Sequence, residues 1–364
     1  MKNTDDIKRK LTSRKPKPAD RYDLGLSTGS TLLNLACSGR PDVGFLPGHY
    51  YFIVGDSSSG KTFLSLTCMA EAAHNPAYAK YDLVYDDVEN GALMDLERYF
   101  GSKTAARVRP PKGTVDDPVC SQLVEDFYDN LEDLLNAKRP FVYVLDSEAA
   151  LNSDAAQKKA KKTSKARQQG EESAGSFGDG KAKIHSARLR SVVSRLQATG
   201  SILVVLTQTR DNIGFSFDPK TRPGGRALKF YATLELWSAV KRKTHRQVRG
   251  QKRATGIIAK VQVKKNRLTG RDREVLLPIH YSHGFDDVGA MVDFLVAEGH
   301  WDKPGKVEED KEITAHGLDV VLKREKLVHH VEAEGLEDQV RDMVVEVWQD
   351  IEDATAVRRK KRYE

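Results

Sequence analysis

Cysteine is scarce in this sequence: among 364 residues only Cys37, Cys68 and Cys120 carry thiols. Their spacing forms neither a disulfide framework nor a close-set metal signature, so a reducing, intracellular setting is expected. Buried small apolar residues are the expected role of all three. Long hydrophobic runs are missing as well. No stretch of about 18 apolar residues occurs, which argues against a membrane-spanning helix. The N-terminal MKNTDDIKRKLTSRKPKPAD lacks the apolar core of a secretory signal. A soluble, cytoplasmic protein with no membrane partner is expected. Adjacent His329 and His330 fall on different faces of a helix, which argues against a metal site there.

The chain does have apolar residues enough for a sizeable core, 39% of the total, and a net charge of +7 that admits a polyanionic partner. Residues 1–25 are polar and proline-punctuated and read as an arm. Over 26–282, short apolar runs at 50–54 (YYFIV), 83–87, 141–146 and 201–206 alternate with helix-like segments at 61–73 and 184–198. Such alternation implies an α/β fold with a mainly parallel central sheet flanked by helices. The lysine-rich segment 152–182 is too long for an ordinary connection in a compact domain. Beyond 283 the strand signal fades. Val340, Val344, Val347, Trp348 and Ile351 recur at helical spacing, so a small helical C-terminal domain with a basic tail is expected.

Between the first apolar run and the first helix stands GDSSSGKT, residues 55–62. Gly55, Gly60, Lys61 and Thr62 fit the P-loop pattern in its required context, a strand before and a helix after. Leu64, Cys68 and Ala72 give that helix an inward face. A glycine-rich turn lets the backbone N–H groups of Asp56, Ser57, Ser58, Ser59 and their neighbours point at phosphate oxygens. Lys61 would reach the β- and γ-phosphates of ATP, and the Thr62 hydroxyl would ligate Mg²⁺. The carboxylate completing the magnesium shell is expected at the end of a neighbouring strand, where Asp146 closes FVYVLD. Glu89 is placed to orient water, with Asp86 and Asp87 competing on position alone.

With these residues placed, the order of segments resembles RecA-type strand-exchange recombinases, of a phage or divergent bacterial type, over roughly residues 26–300. LSTGSTLLNLACSG (26–39), GDSSSGKT, DDVENG (86–91) and VLDSEAAL (144–151) follow the family's order. More specific are LTQTRDNIGFSFDPKTRPGGRALKFY at 206–231 and KVQVKKNRLTG at 260–270. The resemblance implies a RecA-like P-loop ATPase core in which Gln208 senses the γ-phosphate. It makes 209–226 a DNA-binding loop containing Arg210, Arg222, Gly224, Gly225 and Arg226, with the paired glycines as its flexible turn and a strand at ALKFY after it. Lys265 and Arg267 would act on the ATP of the neighbouring subunit, so that nucleotide sits between protomers of a helical filament.

Further DNA contacts follow from the resemblance. Arg188 and Arg195 lie seven residues apart, opposite a core stripe of Leu189, Val192, Val193 and Leu196. The loop 152–182 offers Lys158, Lys159, Lys161, Lys162, Lys165 and Arg167, and KRKTHRQVRGQKR at 241–253 is a second basic cluster for duplex DNA. The implied activity is an ATP-dependent recombinase that assembles on single-stranded DNA and exchanges strands with a homologous duplex. Single-strand-binding and loader proteins would be its partners, in a bacterial or phage-infected cytoplasm. A hexameric helicase, or a filament or mediator protein without turnover, is the alternative. Unlike bacterial members with an acidic C-terminal tail, this chain ends in RRKKRYE.

Overall fold

The computed structural model describes residues 22–92, 95–158, 179–211, 220–221, 225–304 and 311–360. Its elements are α1 (Thr31–Ser38), β1 (Tyr50–Gly55), α2 (Lys61–His74), β2 (Asp82–Asp87), α3 (Leu96–Phe100), α4 (Ser102–Arg107), β3 (Val108–Arg109), α5 (Val124–Asn136) and β4 (Phe141–Asp146). Then come α6 (Asp179–Thr199), β5 (Ile202–Gln208), α7 (Gly225–Tyr231), β6 (Leu234–Val248), β7 (Gln251–Asn266), β8 (Glu274–His280), β9 (Gly284–Phe285) and α8 (Asp287–Ala297). A hairpin of β10 (Glu312–Ala315) and β11 (Val320–Lys323) precedes α9 (Arg324–Ala333) and α10 (Glu337–Thr355).

Among the described residues the main sheet has nine strands in the order β9-β8-β7-β6-β1-β5-β4-β2-β3. The run from β6 to β3 is parallel, and β7, β8 and β9 extend it in antiparallel fashion. All six residues of β1 are buried, and its side chains alternate between two cores. Tyr51 and Ile53 face α1, α2 and the C-terminal helices, whereas Tyr50, Phe52 and Val54 face α5 and α6. Burial on both faces explains why these strands read as continuous apolar runs. In α2 the expected face of Leu64, Cys68 and Ala72 is buried, as are Leu189, Val192 and Leu196 of α6. Cys37 and Cys68 are fully buried and Cys120 half-buried, all with free thiols.

Two expectations change. ALKFY is not a strand: residues 225–231 form α7, with Ala227 and Leu228 buried together and Phe230 63% exposed. Adjacent buried residues fit a helical face rather than a pleat, and the strand starts only at Leu234. The region after 283 is not purely helical, since β9 joins the main sheet and β10–β11 form a hairpin. Its buried Leu295, Trp301, Val340, Val344 and Trp348 belong to the same apolar cluster as Leu32, Leu35 and Ile257.

The C-terminal helices are fastened to the sheet by ions. Arg324 Nη2 donates to Asp286 Oδ2 at 3.1 Å, and its Nε donates to Asp293 Oδ1 at 2.7 Å. Burial alone would raise the Asp286 carboxyl, but bonding to His280 and the charge of Arg324 bring it down to about 2. A folded value below the ordinary 3.8 means that the stabilisation is complete above about pH 4 and lost as pH falls towards 2. Arg324→Met, which leaves Asp286 buried and without its guanidinium, is expected to destabilise the fold by about 3 kcal/mol at pH 7. Urea melts at pH 7 and pH 2.5 check this, the difference between variant and wild type shrinking at the lower pH.

Candidate functional site

The parallel strands deliver their last residues to one edge. Gly55 of β1 pairs with Gln208 of β5, and Asp87 of β2 pairs with Asp146 of β4. β1 leads into α2 on one face of the sheet, whereas its neighbour β5 leads into α7 on the other, and between strands whose connections leave to opposite faces open α/β sheets leave a crevice for ligands. The P-loop spans this crevice. A Cβ on Gly55 would stand 2.3 Å from the Ser238 carbonyl oxygen, and Gly60 enters α2 at φ +89°, a conformation that side chains disfavour. The turn can thus be built with glycine at both ends, leaving backbone N–H groups at the start of a fourteen-residue helix.

Lys61 lies at the floor, its Nζ donating to the carbonyls of Gly55 (3.0 Å) and Asp56 (2.7 Å). Burial pushes its ammonium below the usual lysine range, an effect opposed by the charges of Asp146, Glu89 and Asp56. Thr62 Oγ1 donates to Asp146 Oδ2 at 2.6 Å, and the Tyr85 hydroxyl donates to the same oxygen at 2.7 Å. Desolvation raises Asp146, and those two donors counteract it. A hydroxyl beside a carboxylate is an all-oxygen donor set, which suits Mg²⁺ with its remaining positions filled by phosphate and water. No group of three or more His, Cys, Asp or Glu residues able to hold a metal occurs among the described residues.

Glu89 stands at the mouth. Its carboxylate accepts from the Ser147 hydroxyl and from Gln208 Nε2, the latter at 3.1 Å. Strand alternation separates Asp86 from Glu89. Asp86 points into the opposite core, where Ser121 N, Ser121 Oγ and the Tyr143 hydroxyl donate to it at 2.8, 2.6 and 2.6 Å. Asp87 accepts from the backbone of Gly91 and Ala92, tying the turn that presents Glu89. Tyr85, Ser147 and Thr209 escaped the sequence reading. Thr209 joins the sensor strand to the P-loop by donating its hydroxyl to Asp56 and its N–H to Gly55 O. Only Ser147 had a signal, its place directly after Asp146.

Lys265 and Arg267 are far from this edge. Lys265 pairs with Glu235, which pairs with Phe52, three residues before Gly55. That places it about 10 Å back along the strands and about 10 Å across two of them. Lys265 Nζ bonds the carbonyl of Phe230 at 2.9 Å, and Arg267 Nη2 bonds it at 2.7 Å, beside the exposed Phe230 ring. Neither cation reaches the P-loop of its own chain.

A family model described as the RecA N-terminal domain matches residues 125–286. The chain is 30% identical over 341 residues to Protein RecA of Thermus thermophilus, covering 89% of this chain and 88% of that protein. The chain belongs to the RecA family. Protein RecA of Geobacter sulfurreducens is 31% identical over 291 residues (77% of this chain, 74% of that protein), and that of Cytophaga hutchinsonii 29% identical over 288 (77% and 70%).

Only some of the residues expected at DNA are among the described ones. Lys158 pairs with Asp154 at 2.6 Å, while Lys159, Lys161, Lys162, Lys165 and Arg167 lie outside the described residues. So do Arg222 and Gly224; Arg210 falls in a two-residue strand, Gly225 has φ +76° and Arg226 is exposed. Arg188 is exposed, 3.8 Å from Asp129, whereas Arg195 is tied to Glu132 and Asn136 of α5. The cluster 241–253 forms the exposed outer half of the β6–β7 hairpin, turning at Arg249 and Gly250 with positive φ at both, as a two-residue hairpin loop requires. No described helix is long and apolar enough to cross a membrane.

Proposed function

We propose that the chain is an ATP-dependent DNA recombinase, which assembles as a filament on single-stranded DNA and pairs it with a homologous duplex while DNA stimulates ATP hydrolysis. The observation that carries this reading is the division of the catalytic set. Lys61, Thr62, Asp146, Glu89 and Gln208 meet at one edge of the sheet, and Lys265 and Arg267 stand at the other. Such a chain has half a site at each end, which a head-to-tail assembly would complete. Exposed Phe230, whose ring lies beside Arg267, would supply an apolar contact for that junction.

Lys61 and the P-loop amides would bind the phosphates, and Thr62 and Asp146 would hold Mg²⁺. The bound metal nucleotide supplies an electrophilic γ-phosphorus. Glu89 takes a proton from the attacking water at its carboxylate, and Gln208 holds that carboxylate in place. Lys265 and Arg267 of the adjoining protomer would stabilise charge on the transferring phosphoryl group, so turnover waits for assembly. Arg226, Arg188, the lysines of 158–167 and the basic β6–β7 hairpin are the candidate DNA surfaces, whose phosphate contacts would weaken steeply with salt.

Joint-molecule formation between single-stranded and homologous duplex DNA, with ATP and Mg²⁺, tests the proposal. Wild type should form joints and Lys61→Ala should form none. DNA-stimulated hydrolysis without joints would favour a motor instead.

A further inference from the structure

One fully buried carboxylate has no part in the mechanism above. Glu148 follows Ser147 in the turn after β4 and is 0% exposed. Lys181 Nζ lies 3.1 Å from its Oε1, and His185 Nε2 lies 3.2 Å from the same oxygen. Thr207, also fully buried, donates its hydroxyl to Oε2 at 3.2 Å. Lys181 donates further to the carbonyls of Glu148 and Leu151, at 2.9 Å each, and His185 Nδ1 meets the Tyr128 hydroxyl at 2.9 Å. A neutral imidazole protonated on Nε2 satisfies both of its neighbours.

The placement of this carboxylate is specific. Glu89 is held by two residues, Ser147 and Gln208. Glu148 is the chain neighbour of the first, and it bonds Thr207, the chain neighbour of the second. Its other partners, Lys181 and His185, both belong to the first turns of α6, where Ala182 also lies against Gly225 at the start of α7. A carboxylate buried this deeply is tolerable only while paired. Burial alone would raise its affinity for a proton, yet His185 and the Lys181 charge hold it below the ordinary glutamate value. The docking of α6 therefore governs where the ends of β4 and β5 can sit.

We propose that Glu148 is a positioning residue for ATP hydrolysis, through which Lys181 and His185 of α6 align Ser147 and Gln208 around Glu89. The proposal rests on the ATPase reading above. It makes the first turns of α6 a control point for turnover rather than for nucleotide binding, since none of these side chains lines the P-loop.

The test uses the full chain with single-stranded DNA and varied ATP. Lys181→Met should lower kcat about tenfold or more, as expected for misplaced catalytic groups, with KM and binding of a fluorescent ATP analogue within about twofold. Lys181→Arg, which keeps the charge, should recover most of the rate. Thr207→Val, which removes a single hydroxyl, should lower kcat in the same selective way and covers the case that Lys181→Met fails to fold. In a cycle with Gln208→Ala, Lys181→Met should slow the Gln208→Ala variant by clearly less than it slows wild type, because only the Ser147 arm of the effect is then left to lose. Wild-type kcat in Lys181→Met or Thr207→Val, equal losses in kcat and nucleotide binding, or fully additive losses in the cycle would overturn the proposal while leaving the ATPase reading intact. A wild-type chain that binds nucleotide without hydrolysing it would overturn both.

Discussion

Glu89→Gln is expected to slow DNA-stimulated ATP hydrolysis by about a thousandfold, within the range attributed to a general base, while nucleotide binding stays within about twofold. Glutamine keeps the size of the side chain and its ability to accept from Ser147 and Gln208, but it cannot take a proton from water. Glu89 is exposed, so the thermal stability should not change measurably. Steady-state hydrolysis and equilibrium binding together check this. A rate within tenfold of wild type would remove Glu89 from the proton-transfer role. Asp86 offers no substitute, because it is buried on the other face with three donors of its own.

The second large effect concerns the divided site. Lys61→Ala alone and the double variant Lys265→Ala/Arg267→Ala alone should each hydrolyse ATP at background. Mixed in equal amounts they should recover about a quarter of the wild-type rate, the chance that random head-to-tail assembly joins an intact P-loop to intact cations. If the two cations served their own P-loop, no mixture could regain activity. The geometry favours recovery, because both cations bond the Phe230 carbonyl of α7, while the P-loop opens at the other end of the strands. Co-sedimentation on DNA establishes that the two variants enter one filament, and a mixture that co-assembles yet stays at background would refute a site shared between protomers. Loss of the bonds to the Phe230 carbonyl also perturbs the junction, so measuring the mixture at saturating protein separates assembly from catalysis.

Much of this site was readable along the chain because its chemistry is local. Gly55, Gly60, Lys61 and Thr62 act within one turn, and the requirement for strand before and helix after is met by neighbouring residues. Asp146 was singled out by the same logic, as the polar end of an apolar strand, and the structure places it against Thr62. The continuous apolar runs announced strands buried on both faces, and the four-residue spacing in α2 announced its inward side. Where local patterns were ambiguous, the reading failed or stayed open. ALKFY has residues at home in either a strand or a helix, and contact with the body of the protein selected the helix.

By itself, then, the sequence determined that a P-loop pattern stands between an apolar strand and a helix, which runs are buried strands, and which family it resembles, since each depends on residues close together in the chain. Only the tertiary structure decided that Glu89 rather than Asp86 faces the crevice, that Glu148 gathers α6 and β5 around one buried charge, and that Lys265 and Arg267 lie beyond reach of their own P-loop. Those three outcomes depend on strand order and register, which are set by packing between segments far apart in sequence.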